Sequence, residues 1–237
     1  MTSTESGAST SPPLVRAVSI AKSFGGAKAL QGVDIDIASG EVHGLVGANG
    51  AGKSTFIKIL AGLVQPDAGT IEIDGTAESL GNPHASSELG MNFIHQELAF
   101  IPSMTVLENI MLGIPKKTRF GIIDWTAIER DVRPIADRVG ITAALNAGVK
   151  GLSTAENWLI NICRALVQKA RLIVMDEPTA SLSNSEAEKL FQIVQELSKS
   201  GVAVLYVSHR LDEIELLCDR VTIFRDGHSV ADISKDA

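Results

Sequence analysis

The chain has 237 residues, 45% of them hydrophobic, enough for one large domain or two small lobes. Its formal net charge is −7 and no run of Lys or Arg exceeds two, which argues against a nucleic-acid footprint and an anionic membrane patch. Two distant cysteines, Cys163 and Cys218, lack metal-ligand spacing and read as buried thiols of a reducing compartment; no apolar run nears the roughly 18 residues of a spanning helix.

The start, MTSTESGASTSPP, has neither a charged n-region nor an apolar h-region, so it does not read as a secretory signal. Its Ser, Thr, Gly and Pro content predicts a disordered tail over residues 1–13. LVRAVSIAKSF and VDIDIA follow as short alternating strands. EVHGLVG is a buried strand running into a glycine-rich turn. STFIKILAGL is then helical, with Phe56, Ile57, Leu60 and Leu63 at helical spacing. GTIEIDG is another strand, and MNFIHQE a strand with a polar end. From residue 100 to 151 the pattern turns helical, around TVLENIMLG and WTAIERDVRPIADRVGI. RLIVMDE is a continuous apolar run ending in two acids. Residues 186–198 form a helix with Leu190, Ile193, Val194 and Leu197 on one face. VAVLYVSH is a buried strand with a polar end, and RVTIFRDG is a last strand. Strands alternating with helices predict a parallel sheet covered on both sides, with residues 100–151 as an inserted helical lobe.

The chemistry concentrates in two places. GANGAGKST, residues 47–55, fits G-x-x-x-x-G-K-[ST] between a buried strand and a helix. Gly47, Gly50 and Gly52 let backbone amides close around phosphates, with Asn49 and Ala51 between them and the helix N-terminus behind. Lys53 brings a cation to the β- and γ-phosphates, Ser54 offers a hydroxyl to Mg²⁺, and Thr55 continues the motif. LIVMDE ends a buried strand with Asp176 and Glu177. Ligands of open α/β sheets sit at the carboxyl ends of the strands. Asp176 would there reach the Mg²⁺ shell through water, and Glu177 would act as general base toward a water attacking the γ-phosphate. Gln96 and His209 also close apolar strands, so several strand ends converge with polar tips.

GLSTAENWL carries two readings. Ser153 and Glu156 fit a capping box opening a helix, with Leu159, Ile162, Leu166 and Val167 on its buried face. The same residues also suit a phosphate-reading loop that has lost its glycines.

The order GANGAGKST, HQE, LSTAE, LIVMDEPTASLS and VSHR resembles the nucleotide-binding domain of ABC ATPases, over essentially residues 14–230. FIHQELAFIPSMTVLENIMLG looks like the sugar-importer branch, whose ATPase usually carries two such domains in tandem. The resemblance implies a P-loop NTPase fold of ABC type: an α/β parallel-sheet core, an antiparallel β subdomain and an inserted helical lobe. It assigns the domain to residues 14–237, with ATP and Mg²⁺ as ligands. By the same resemblance Phe24 stacks on adenine, Gln96 links Mg²⁺ to the transmembrane partner, Glu177 is the catalytic base and His209 the switch near the γ-phosphate. Residues 180–183 contact the opposite domain, and Ser153 reads ATP held by that domain.

Where the family has LSGGQ, this chain has LSTAE. Thr154 and Ala155 replace glycines and crowd a backbone approach, and Glu156 adds negative charge toward an anion. The phosphate reader is therefore weakened while the helix start is kept. The resemblance implies an ATP-hydrolysing subunit of an importer for a monosaccharide or similar polar solute. It would sit at the cytoplasmic membrane face through permease subunits, with a second nucleotide-binding domain and, indirectly, a periplasmic or extracellular solute-binding protein. The chain reads as the first half of a tandem protein or a single-domain relative. Two rivals are a soluble ABC protein acting on ribosomes or nucleic acid, against which the acidic charge stands, and an ATP-binding regulator without turnover, against which Glu177 and His209 stand.

Overall fold

The computed structural model describes residues 12–95 and 100–235. Most of the expected tail and Gln96 therefore lie outside the described residues. β1 (Val15–Phe24) and β2 (Ala27–Ile37) form a long antiparallel hairpin. β3 (Val42–Gly47) leads into α1 (Lys53–Leu60). β4 (Ala68–Ile73), β5 (Thr76–Glu78) and α2 (Pro83–Glu88) follow, then β6 (Met91–Ile94). α3 (Val106–Ile110), the small hairpin β7 (Thr118–Arg119) and β8 (Ile122–Ile123), α4 (Trp125–Arg138) and α5 (Thr154–Val167) come next. The last part is β9 (Leu172–Asp176), α6 (Asn184–Lys199), β10 (Ala203–Val207), α7 (Leu211–Leu217), β11 (Arg220–Arg225) and β12 (His228–Ser234).

Six strands form the main sheet in the order β12-β11-β3-β10-β9-β6, parallel except for the edge strand β12. Four others form an antiparallel sheet, β2-β1-β4-β5. The apolar run of β9 has a direct physical explanation. Ile173 and Met175 face a core shared with Leu190, Val194 and Leu197 of α6. Leu172 and Val174 face a second core with Phe56 and Ile57 of α1 and Ile20 and Val33 of the antiparallel sheet. A strand packed on both faces has no side left for polar residues. Phe56 also meets Phe224 edge-on, 5.7 Å between ring centroids at 71°, a contact worth about 0.5–1.5 kcal/mol beyond area burial.

Several expectations need correction. Leu63 lies outside α1 and is 56% exposed. Gly62, at φ +68° with Asn82 O where a Cβ would stand, turns the chain out of the helix. α5 is buried more widely than its periodicity implied: Trp158, Ile160, Ile162, Cys163 and Ala165 are covered, whereas Leu159, Leu166 and Val167 are only half-buried. It packs between α3, α4 and α6, so it has no single inner face. Ile193 of α6 is likewise half-buried. The stretch expected to be helical before residue 151 contains the β7–β8 hairpin. RVTIFRDG is not the last strand: β12 follows it. Both cysteines are buried free thiols, and burial pushes each up to about 12.

Candidate nucleotide site

The loop between β3 and α1 holds the glycine motif. Gly47 ends β3 with no room for a side chain, since a Cβ there would lie 2.4 Å from Phe224 O. Gly52 has φ +105°, and its Cβ would meet the Leu30 side chain at 2.5 Å and Ala29 O at 2.7 Å. Neighbouring backbone pins the loop further: Gly227 N–H donates to Ala51 O at 3.2 Å, and Gln31 N–H to Gly227 O at 2.7 Å. The first helical bond of α1 runs from Phe56 N–H to Gly52 O. The amides of Lys53, Ser54 and Thr55 are thus left at the helix mouth, where anions are favoured.

Asn49, Gly50, Ala51, Gly52, Lys53, Ser54 and Thr55, with Ala29 of β2, line one cavity of about 180 Å³. The Lys53 ammonium curls over the loop and donates to Gly47 O at 2.6 Å and Ala48 O at 3.2 Å. Phe24 stands at the tip of the β1–β2 hairpin, 48% exposed, with Lys22 Nζ 5.5 Å from its ring centroid. Its ring is open to a ligand on the hairpin whose second strand walls the cavity.

Asp176 is the last residue of β9. Burial holds its carboxyl above the ordinary value; Glu177 adds to this, while His95 and Lys53 pull the other way. Glu177 follows with φ +47°, a left-handed conformation costly for a residue with a side chain. Its N–H donates to Val207 O at 2.9 Å, tying it to the end of β10. His209 lies two residues past that strand, in the loop before α7, and its Nδ1 is 3.1 Å from Glu177 Oε1. The structure therefore joins Glu177 to His209.

Ser153 is elsewhere. It caps α5, with Glu156 N–H donating to its Oγ at 3.2 Å and Ser153 N–H donating to Glu156 Oε2 at 2.8 Å. It lines a separate cavity of about 280 Å³ between α5 and α6. The Glu156 carboxylate is thus turned back onto its own helix start.

The donor set fits a phosphate and a hard cation. Glycine amides and Lys53 suit phosphate oxygens. Ser54 and Asp176 are oxygen donors of the kind Mg²⁺ accepts, and a half-buried carboxylate stays ionised more readily beside a cation. No group of three His, Cys, Asp or Glu among the described residues could hold a metal alone.

A network beside this site was not anticipated. Glu213 of α7 is 2% exposed and accepts from Thr179 Oγ1 (2.8 Å), Tyr206 Oη (2.9 Å) and Ser208 Oγ (3.2 Å), while Arg210 reaches it at 2.8 Å. Only its position four residues before buried Leu217 would have hinted at burial, by the same periodicity that flags apolar residues.

A strand, a glycine loop and a helix, with two carboxylates at the end of a second strand of the same parallel sheet, define a P-loop NTPase fold. The ABC transporter family model matches residues 30–180, and the chain belongs to that family. It is similar to the ribose import ATP-binding protein RbsA 2 of Burkholderia ambifaria, 45% identical over 92% of this chain and 43% of that protein. It is 46% identical to the RbsA 2 protein of Rubrobacter xylanophilus over 92% of this chain and 42% of that one. The arabinose import ATP-binding protein AraG 1 of Burkholderia cenocepacia is 46% identical over 90% and 42% respectively. The chain thus spans less than half the length of these curated relatives. Among solved structures, the ADP conformation of MJ1267, an ATP-binding cassette of an ABC transporter, superposes with a TM-score of 0.84 at 28% identity. It covers 94% of this chain and 92% of that one.

Proposed function

We propose that residues 14–237 act as one nucleotide-binding domain, with a helical lobe over about 100–151, that binds and hydrolyses Mg-ATP to energise an importer. The solute class is a monosaccharide or a similar small polar molecule, in keeping with the ribose and arabinose import relatives. Gly47, Asn49, Gly50, Ala51, Gly52, Lys53, Ser54 and Thr55 cradle the phosphates, and Phe24 stacks on the adenine. Ser54, Asp176 and Gln96 hold the Mg²⁺ shell; when bound, the ion neutralises charge on the phosphate oxygens.

The observation that carries the reading is the Glu177–His209 pair, 3.1 Å apart, one residue past the strand that presents Asp176. Glu177 takes the proton of the attacking water, and His209 orients that carboxylate and faces the γ-phosphate. The chemistry is in-line displacement governed by positioning and charge. The partners are a second nucleotide-binding domain, permease subunits gripped by the helical lobe and, through them, a solute-binding protein outside the membrane; the chain is peripheral to the cytoplasmic face. Nucleic acid is not a partner.

The test is Glu177→Gln in the assembled transporter. ATP binding should be retained, and turnover should fall at least about a hundredfold, the low end for loss of a general base. Near-normal turnover would remove Glu177 from the mechanism.

A further inference from the structure

The Glu177–His209 pair joins two different loops. Glu177 opens the loop after β9, and His209 lies in the loop after β10. Their side chains are 30% and 64% exposed, so little packing holds them together. Glu177 also sits in a left-handed backbone conformation, φ +47°, that its own residue type disfavours. Something adjacent must fix both loops.

The buried carboxylate of Glu213 does this chemically. Thr179, two residues after Glu177, donates its hydroxyl to both Glu213 oxygens at 2.8 Å. Ser208, the residue before His209, donates at 3.2 Å, and Arg210, the residue after it, ion-pairs at 2.8 Å. Tyr206 completes the set at 2.9 Å from within β10. Thr179 and Ser208 are themselves buried, at 5% and 2% exposure. Burial raises the Tyr206 hydroxyl strongly, and the Glu213 charge adds to that, so it stays a proton donor. One anion thus collects donors from both sides of His209 and from the loop of Glu177. A buried carboxylate with donors on both oxygens is rigid, because releasing any one donor leaves a desolvated charge under-satisfied.

We propose that Glu213 is a positioning residue for ATP hydrolysis, clamping the Glu177 loop to the His209 loop through Thr179, Ser208 and Arg210. This rests on the hydrolytic roles of Glu177 and His209 given above. Glu213 is buried away from the phosphate loop's cavity; it acts by fixing where the base and its histidine partner meet. The phosphate loop lies outside the clamp, so nucleotide affinity and turnover should separate when it is cut.

The test uses the 237-residue chain labelled with ¹⁵N-histidine, in the Thr179→Val, Thr179→Ser, Glu213→Gln and Glu177→Gln forms. Thr179→Val keeps shape and removes one donor, so it remains informative if Glu213→Gln does not fold. In Thr179→Val the imidazole signals of His209 should move toward their positions in Glu177→Gln. The Kd for Mg-ATP should stay within about twofold, because the phosphate loop is untouched, and kcat in the assembled transporter should fall about tenfold or more, as misplacement of a catalytic group does. Thr179→Ser, which restores the hydroxyl, should recover both signals and kcat. A folded Thr179→Val chain with wild-type His209 signals overturns the clamp, as does an equal loss in Thr179→Ser. If Glu177→Gln itself leaves turnover intact, the hydrolytic reading falls. If Glu177→Gln abolishes turnover while Thr179→Val leaves it unchanged, only the clamp falls.

Discussion

At the scale of single residues, the phosphate loop makes the sharpest predictions. Lys53 carries the cation that faces phosphate, so Lys53→Ala should abolish Mg-ATP binding at micromolar nucleotide while the fold is kept. Isothermal titration reads the first and a melting curve the second. Phe24 is 48% exposed and contributes nothing to either core. Phe24→Ala should therefore weaken ATP several-fold, a stacking loss on the order of 1 kcal/mol, with Phe24→Tyr holding the affinity. Equal binding by all three forms would assign the ring no contact with adenine. Two glycines with similar angles separate strain from space. Gly50, at φ +83°, has nothing within 4 Å of a built Cβ, whereas Gly52 at φ +105° would drive one into Leu30 and Ala29. Gly50→Ala should cost only the left-handed backbone penalty, about 1–2 kcal/mol. Gly52→Ala should cost more and also displace the loop, so its melting temperature should fall further and its ATP binding be lost.

At the scale of elements, helix starts carry much of the local information. Capping boxes stand at Thr105–Glu108, Ser153–Glu156 and Ser183–Glu186. The middle one bears on the two readings of GLSTAENWL. Glu156 accepts the Ser153 N–H at 2.8 Å, so an anion of the chain already occupies an amide at the mouth of α5. A helix N-terminus so capped has less positive potential left for a ligand phosphate. Ser153→Ala should destabilise the chain by about 0.5–2 kcal/mol, measured by denaturant unfolding, as loss of an N-cap does. An unchanged midpoint would show that the burial of Trp158 and Ile162 alone holds α5.

At the scale of the whole molecule, the phosphate loop and Ser153 line different cavities. In a pair of domains, the ATP of one would face the signature of the other. Two copies of this chain would set each ATP against Thr154, Ala155 and the capped Glu156. The chain should therefore bind Mg-ATP, remain largely monomeric and hydrolyse slowly. Thr154→Gly, Ala155→Gly and Glu156→Gln, on a Glu177→Gln background, should promote an ATP-dependent dimer in sedimentation. A tight ATP dimer formed by Glu177→Gln with the native signature would make LSTAE a competent reader.

What the sequence by itself determined was whatever local chemistry specifies. The glycine motif requires close backbone approach, β9 and β10 show burial on both faces, and Ser153 with Glu156 encodes a cap over three residues. Those signals need no distant partner. The positions it left open depend on neighbours far along the chain. Leu211 and Leu216 are 67% and 58% exposed while Glu213 between them is buried, an inversion that residue type alone argues against and that only the helical spacing to Leu217 hints at. It arises because Thr179, Tyr206 and Ser208, up to 34 residues away, supply donors to one carboxylate. The β7–β8 hairpin escaped because two-residue strands carry too few positions to display alternation. The contact between Glu177 and His209, 32 residues apart, exists only because β9 and β10 lie side by side in parallel register. Sheet order is set by packing across the whole core, so it took the tertiary structure to bring the base and its histidine together.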